Sequence, residues 1–262
     1  MKKTQVYLGR LAGIHPLTII STLCGLPFFL RDLKEIKRQI KHSRKEFPLG
    51  SYLPELNDKT ANAGTMSSEY FYTDLYVAKK IFCANPQRHV DIGSRIDGFV
   101  AHVASFREIE IFDIRKLEST VSNIIFKQAD LMKLPKEIEN YCDSISSLSA
   151  IEHFGLGRYG DPVDYYGHEK AVRNITTILK PGGVFYFAVP IGKQRIEFNA
   201  HRIFSLSYLW GLFKSDYELI SFSYVDDKGK FYENVPFVEN TIETGFTTDY
   251  SWGCGIFELR KK

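Results

Sequence analysis

The sequence predicts an α/β fold: a mainly parallel, seven-stranded sheet with helices on both faces, preceded by a helical N-terminal extension. Two observations carry that prediction. From Pro86 onward, short apolar runs alternate with stretches of helical periodicity, the pattern of parallel strands joined by helical crossovers. One run, Val184-Phe-Tyr-Phe-Ala-Val189, is apolar without alternation, as befits a strand buried on both faces.

The elements follow in order. His89–Ile92 is expected as the first strand and Gly98–Ala104 as the helix after it. Glu108–Asp113, Asn123–Lys127 and Ser144–Ser149 are expected as strands two to four. Tyr166–Leu179 has helical periodicity and is stopped by Lys180-Pro-Gly-Gly183, because proline lacks a donor and glycine readily leaves the helical conformation. Val184–Val189, Tyr217–Val225 and Gly255–Leu259 complete the seven strands. The domain expected from these elements covers 61–262, and the extension covers 1–60.

The extension opens with Lys2 and Lys3 like a signal peptide, but Arg10 interrupts the apolar run and no small-residue cleavage pattern follows. Ile14–Leu30 is apolar overall, yet it holds His15, Pro16, Gly25 and Pro27 and is shorter than the ~20 apolar residues of a spanning helix. A transmembrane helix is not expected. In Arg31–Lys45, Leu33, Ile36 and Ile40 recur at helical spacing among basic residues. That pattern suits a solvated helix with a thin apolar stripe, or a basic amphipathic segment on an anionic membrane or partner.

A net charge of +3 over 262 residues is too small to indicate nucleic acid. Cys24, Cys83, Cys142 and Cys254 are far apart, which argues against a zinc site and a disulfide framework; they read as buried thiols in a reducing, cytoplasmic setting. No metal is assigned.

On a parallel sheet, ligands bind beyond the C-terminal strand ends, near the switch in strand order. Val90-Asp-Ile-Gly-Ser-Arg-Ile-Asp-Gly98 lies at such an end, where Gly93 permits a tight turn and close approach of a ligand to the main chain. Asp113, 22 residues beyond Asp91, ends strand two, where a carboxylate can accept hydrogen bonds from ribose hydroxyls. Gln128-Ala-Asp-Leu131 follows strand three, and Ser146-Ser-Leu-Ser-Ala-Ile-Glu-His-Phe154 spans the end of strand four.

Taken in order, these segments resemble the motifs of class I S-adenosylmethionine (SAM)-dependent methyltransferases, which have a Rossmann-like fold. The first departs from the usual acidic residue followed by Gly-x-Gly-x-Gly: Asp91 and Gly93 match, whereas Arg95 and Asp97 replace glycines and Gly98 comes one place late. The resemblance implies that Asp91, Gly93, Ser94, Asp113, Asp130, Leu131 and Ser149 hold SAM, with an aromatic of Tyr70-Phe-Tyr-Thr-Asp74, Tyr72 foremost, closing over it. Much of the chain, including Gly155-Leu-Gly-Arg-Tyr-Gly-Asp-Pro162 and Phe198-Asn-Ala-His-Arg-Ile-Phe204, further resembles a bacterial methyltransferase-like group, domain-of-unknown-function family 268. That likeness implies a setting in surface-polysaccharide or glycan biosynthesis.

Methyl transfer to oxygen needs a proton acceptor, and histidine suits neutral pH. His153 and His201 follow strands four and five and are the candidate bases, with Glu152 and Asp161 as carboxylate alternatives. Arg158, Tyr159, Asp161 and Arg202 are the candidate acceptor-binding residues, Arg202 for an anionic group. The Gly- and Tyr-rich segment Gly155–Gly167 and the stretch Asp226–Trp252 are the expected acceptor-site walls.

The favoured expectation is O-methylation of a small molecule, a saccharide or glycan precursor. Transfer to nitrogen or a phospho-linked group is the alternative within the same chemistry. A non-catalytic scaffold is the alternative outside it, bound to a glycosyltransferase or, through the N-terminal segment, peripherally to the inner membrane.

Overall fold

The computed structural model describes residues 16–44, 47–57, 69–133, 138–237 and 253–262. The chain divides into two compact units, residues 1–65 and 66–262.

In the first unit, α1 (Pro16–His42) runs without interruption through Pro27. It joins the apolar stretch and the basic stretch into one helix. Thr22 contacts Asn57, and the Lys37 ammonium lies 5.2 Å from the Tyr52 ring centre. A Cβ on Gly25 would fall 1.9 Å from the Leu56 carbonyl oxygen, so only glycine lets that segment approach the helix. Among the described residues, no helix is long and apolar enough to cross a membrane.

The second unit begins with α2 (Glu69–Ala84), which buries Val77, Ala78 and Ile81. There follow β1 (His89–Ile92), a π-helical turn (Ile96–Val100), α3 (Ala101–Ala104), β2 (Ile109–Asp113), β3 (Ile124–Gln128) and β4 (Cys142–Leu148). A 3-10 turn (Ile151–His153) leads toward α4 (Gly167–Ile178) and β5 (Leu179–Ile191). Next come β6 (Arg195–Glu197), β7 (His201–Ile203), α5 (Leu206–Phe213), β8 (Tyr217–Val225), β9 (Phe231–Tyr232) and β10 (Gly253–Lys261).

The main sheet has the order β3-β2-β1-β4-β5-β10-β8-β9. β1 to β5 pair in parallel, whereas β10 is antiparallel to both β5 and β8. The described sheet therefore has eight strands rather than seven, because two-residue β9 pairs with the end of β8. β6 and β7 form a separate hairpin. The Lys-Pro-Gly-Gly stop also differs in detail: β5 begins at Leu179, and the register jumps from Cys142↔Leu179 to Ser144↔Val184. The extra residues bulge out, so the motif ends the helix without ending the pairing.

Apolar side chains cover both faces of the central strands. On one face Phe187 meets Phe185, Phe213 and Phe257 with ring centres 5.1–6.0 Å apart. Removing such a ring typically costs about 3–5 kcal/mol. Cys142 and Cys254 are buried as expected of core thiols, while Cys24 and Cys83 are exposed; all four are free.

Candidate functional site

Chain order reverses between β1 and β4, and this switch point is where a crevice opens on such sheets. A cleft of about 830 Å³ lies there, lined by Gly93 after β1, Asp113 ending β2, Ala129–Met132 after β3 and Ser149–Ala150 after β4.

The floor is set by a buried polar chain. Asp91 is fully buried; its Oδ1 accepts from the Ser94 N–H (2.9 Å) and its Oδ2 from the Ser94 and Ser146 hydroxyls (both 2.6 Å). With its proton given to Asp91, the Ser146 oxygen accepts from His89 Nε2 (3.1 Å), leaving His89 Nδ1 to accept from the Ser144 hydroxyl (2.8 Å). Burial pushes His89 down to about 3, so the ring is neutral, and raises Asp91 to about 6 against its serine hydrogen bonds. Asp91 and Ser94 thus do not line the cleft, contrary to expectation. They fix the turn that ends in Gly93, whose φ of +69° favours glycine and whose N–H donates to the Phe112 carbonyl.

Around that floor stand the expected strand-end carboxylates. Asp113 lines the cleft, with Oδ1 accepting from the Arg115 N–H (2.8 Å) and Nε (3.0 Å), and Oδ2 from Nη2 (2.6 Å). A carboxylate offers about four lone-pair sites. Three are engaged, so a ribose diol would take the fourth and displace one Arg115 contact. Asp130 Oδ1 accepts from the Met132 N–H, and Leu131 lines the wall beside it. Ser149 holds the left-handed conformation at φ +53°, an unusual backbone for serine at the mouth of a site.

His153 also lines the cleft. Its Nδ1 donates to the Ala200 carbonyl (2.6 Å), which leaves the Nε2 lone pair available. Burial, joined by the Arg158, His201 and Arg115 charges, lowers its pKa to about 4 despite the Ala200 hydrogen bond. Glu152 is fully buried and raised by burial to about 8, and its Oε2 has no hydrogen-bond partner. Glu152 Oε1 is 3.7 Å from His153 Nε2; with both groups neutral at pH 7, this is no ion pair.

The Gly155–Gly167 segment forms one wall. Asp161 Oδ2 accepts from the Gly155 (2.7 Å) and Gly157 (3.2 Å) N–H groups, and Oδ1 from that of Tyr159 (3.2 Å). Asp161 ties its loop together. The Tyr159 ring lies between the Arg115 and Arg158 guanidiniums, 4.6 and 5.1 Å away, and meets the His153 ring edge-on at 5.3 Å.

Three more expected residues, beyond Asp91 and Ser94, lie outside the cleft. His201 sits behind His153, ring centres 6.5 Å apart, with Nε2 3.4 Å from Glu197. Arg202 is buried and donates to the carbonyls of Phe154 (2.5 Å), Tyr165 (3.0 Å), Glu152 and Asp164 (both 3.4 Å), so it holds backbone rather than an acceptor's anion. Tyr72 stacks on Phe231 at 5.4 Å in the core, and Tyr70 of the same segment lines the cleft under Arg95. Burial, then the Glu152 charge, pushes the Tyr70 hydroxyl up to about 12. Tyr70 belongs to the segment expected to cover the ligand, whereas Arg95 and Arg115 escaped the sequence reading as site residues, although Arg95 marks where the glycine pattern breaks. The expected wall at 226–252 is described only to Phe237. Among the described residues no group of three or more His, Cys, Asp or Glu side chains is placed to hold a metal.

The chain has an α/β, Rossmann-like fold of the kind found in methyltransferases. Three solved structures share this fold; one is the 4+2 cyclase SpnF (TM-score 0.51, 16% identity, covering 76% of this chain and 85% of that one). A second is the 1,6-didemethyltoxoflavin-N1-methyltransferase of Burkholderia thailandensis with bound S-adenosylhomocysteine (0.51, 14%, 72% and 78%). A third is the YcgJ protein of Bacillus subtilis (0.50, 18%, 73% and 98%). The chain belongs to domain-of-unknown-function family 268, whose model, described as a Caenorhabditis protein of unknown function, matches residues 97–234, more than half its length. That description gives no support to a bacterial setting. No curated protein matches the chain.

Proposed function

We propose that the protein binds SAM in the switch-point cleft and transfers its methyl group to a small polar acceptor. The observation that carries this reading is the convergence of four strand ends on one cleft, with the Gly93 turn at β1 and the Asp113 carboxylate at β2. Asp113 would hold the ribose, Asp130 and Leu131 the adenine, and Gly93 with Ser149 the main chain beside the methionine portion. Tyr70 takes the covering position expected of Tyr72. The cofactor supplies an activated methyl group on a sulfonium.

The protein's own contribution is to orient the acceptor in line and to remove water and a proton. His153 is the only imidazole of the expected pair that lines this cleft, and it is unprotonated beyond its Nδ1 hydrogen at pH 7. It would accept the hydroxyl hydrogen bond of an acceptor and receive the proton as the oxygen–methyl bond forms. Tyr159 and Arg158 would wall the acceptor. A saccharide hydroxyl is the acceptor we favour, since aromatic faces and guanidinium forks suit a polyhydroxylated ring. One observation favours the nitrogen alternative: a pKa near 4 makes His153 a weak base, and a neutral amine needs none until after transfer.

Calorimetry with S-adenosylhomocysteine tests the reading. Losing hydrogen bonds to a charged acceptor costs about 1.5–3 kcal/mol, so Asp113→Ala should weaken binding ~10–150-fold. Equal affinity in the folded variant would remove Asp113 from the ribose site.

A further inference from the structure

Among the described residues, three guanidiniums line the switch-point cleft: Arg95, Arg115 and Arg158. Two are already matched by a carboxylate. Arg95 Nη2 lies 3.1 Å from Asp97 Oδ2, and Arg115 Nη2 lies 2.6 Å from Asp113 Oδ2. Arg158 forms no ion pair among the described residues; its hydrogen-bonding neighbours are Ala200 and His153. Asp161, three residues along the same loop, spends its oxygens on the N–H groups of Gly155, Gly157 and Tyr159. The cleft therefore carries one guanidinium whose charge the described protein leaves unmatched.

That charge is held in place rather than left to swing in solvent. Arg158 Nη1 donates to the Ala200 carbonyl (2.9 Å), and the guanidinium lies 5.1 Å from the Tyr159 ring centre. A guanidinium is a planar fork of five N–H donors, so fixing one nitrogen orients the others. Nε and Nη2 donate to no protein group among the described residues. Such a fork matches the paired oxygens of a carboxylate or a phosphate.

The fork stands beside the candidate base. The Ala200 carbonyl accepts from His153 Nδ1 (2.6 Å) as well as from Arg158, and the two nitrogens are 3.3 Å apart. One carbonyl thus sets the fork against the imidazole that would take the acceptor's proton. Burial first, and then the Arg158 charge, hold His153 down to about 4. An anion on Arg158 would offset that charge, so an acid group on the acceptor would strengthen the base that serves it.

We propose that the acceptor is acidic: a polyhydroxylated ring whose carboxylate or phosphate pairs with Arg158 while a neighbouring hydroxyl donates to His153. The proposal rests on the methyl-transfer reading of this cleft and names its substrate class. A neutral sugar would leave the fork to water, and a cationic acceptor would be repelled by it.

Saturation-transfer-difference NMR titration of the full chain loaded with S-adenosylhomocysteine tests it, with glucose, glucuronate and glucose 6-phosphate as probes. The three share one ring and differ only in the group at its exocyclic carbon. At least one anionic sugar should bind about tenfold more tightly than glucose, the equivalent of one charge-assisted contact. The tighter of the two identifies carboxylate or phosphate as the group held. Arg158→Gln should bring both down to the glucose level, whereas Arg158→Lys, which keeps the charge and loses the fork, should retain part of the preference. S-adenosylhomocysteine affinity in calorimetry should be retained in both variants, which also shows that they fold. The proposal is overturned if none of the three sugars binds, if glucose binds as well as both anionic sugars, or if Arg158→Gln keeps the preference. A parent chain that binds no S-adenosylhomocysteine sinks the methyl-transfer reading itself; binding without an anion preference sinks only this proposal.

Discussion

Glu152 sets the sharpest test of the buried electrostatics beside the cleft. Its carboxyl is fully buried, one oxygen has no partner, and burial raises its pKa from an ordinary 4.5 to about 8. An acid raised in the folded state binds its proton more tightly there than in the unfolded chain. Between pH 4.5 and 8 the folded form therefore carries one more proton, and stability falls as pH rises. Each pKa unit is worth about 1.36 kcal/mol. Integrated over both titrations, the penalty is about 1 kcal/mol at pH 5 and about 4 kcal/mol at pH 8, a growth of roughly 3–4 kcal/mol. Glu152→Gln copies the neutral acid and cannot ionise. Urea denaturation of parent and variant at pH 5 and pH 8 measures the gap. The variant should gain relative to the parent by that amount as pH rises. The buried histidines titrate alike in both proteins and cancel in the difference. A gap that stays constant from pH 5 to 8 would refute the assignment of Glu152 as a buried neutral acid.

Two further predictions separate chemistry from scaffolding. His153→Ala should lower turnover of a hydroxyl acceptor by ~10²–10⁴-fold, with S-adenosylhomocysteine affinity retained in calorimetry; turnover at the parent rate would move the proton acceptor elsewhere. Arg202→Ala should destabilise the fold by ~2–4 kcal/mol in denaturant titration, because four buried or part-buried carbonyls lose a donor. An unchanged denaturation midpoint with weakened acceptor binding would return Arg202 to the role first expected of it.

How much was legible depended on how local the signal was. Strands β1 to β5 could be read because apolar runs between helical stretches admit few other arrangements, and Gly93, Asp113, Asp130 and Ser149 reach the cleft because each sits at a parallel strand end. Strand-end position does not say whether a side chain faces the ligand or the protein. Asp91 lies in β1 itself, with no exposure, so its oxygens go to Ser94 and Ser146. His201 and Arg202 were placed by their position after β5, but the small β6–β7 hairpin intervenes and turns Arg202 under the neighbouring loop. Tyr70 and Tyr72 are two residues apart on α2, about 200° around the helix, so one faces the cleft and the other faces Phe231. Arg115 was hidden because its stacking on Tyr159 joins residues that are distant in sequence, and its clamp on Asp113, two residues away, leaves no mark in the apolar pattern.

The central claim is that the switch-point cleft is a SAM site, and a crystal structure with S-adenosylhomocysteine tests it most directly. The account predicts the ribose hydroxyls on Asp113, with at least one Arg115 contact displaced, and the adenine beside Asp130 and Leu131. Tyr70 should lie over the ligand and His153 Nε2 should face the sulfur. Ligand density elsewhere on the chain, with Asp113 still fully clamped by Arg115, would contradict it.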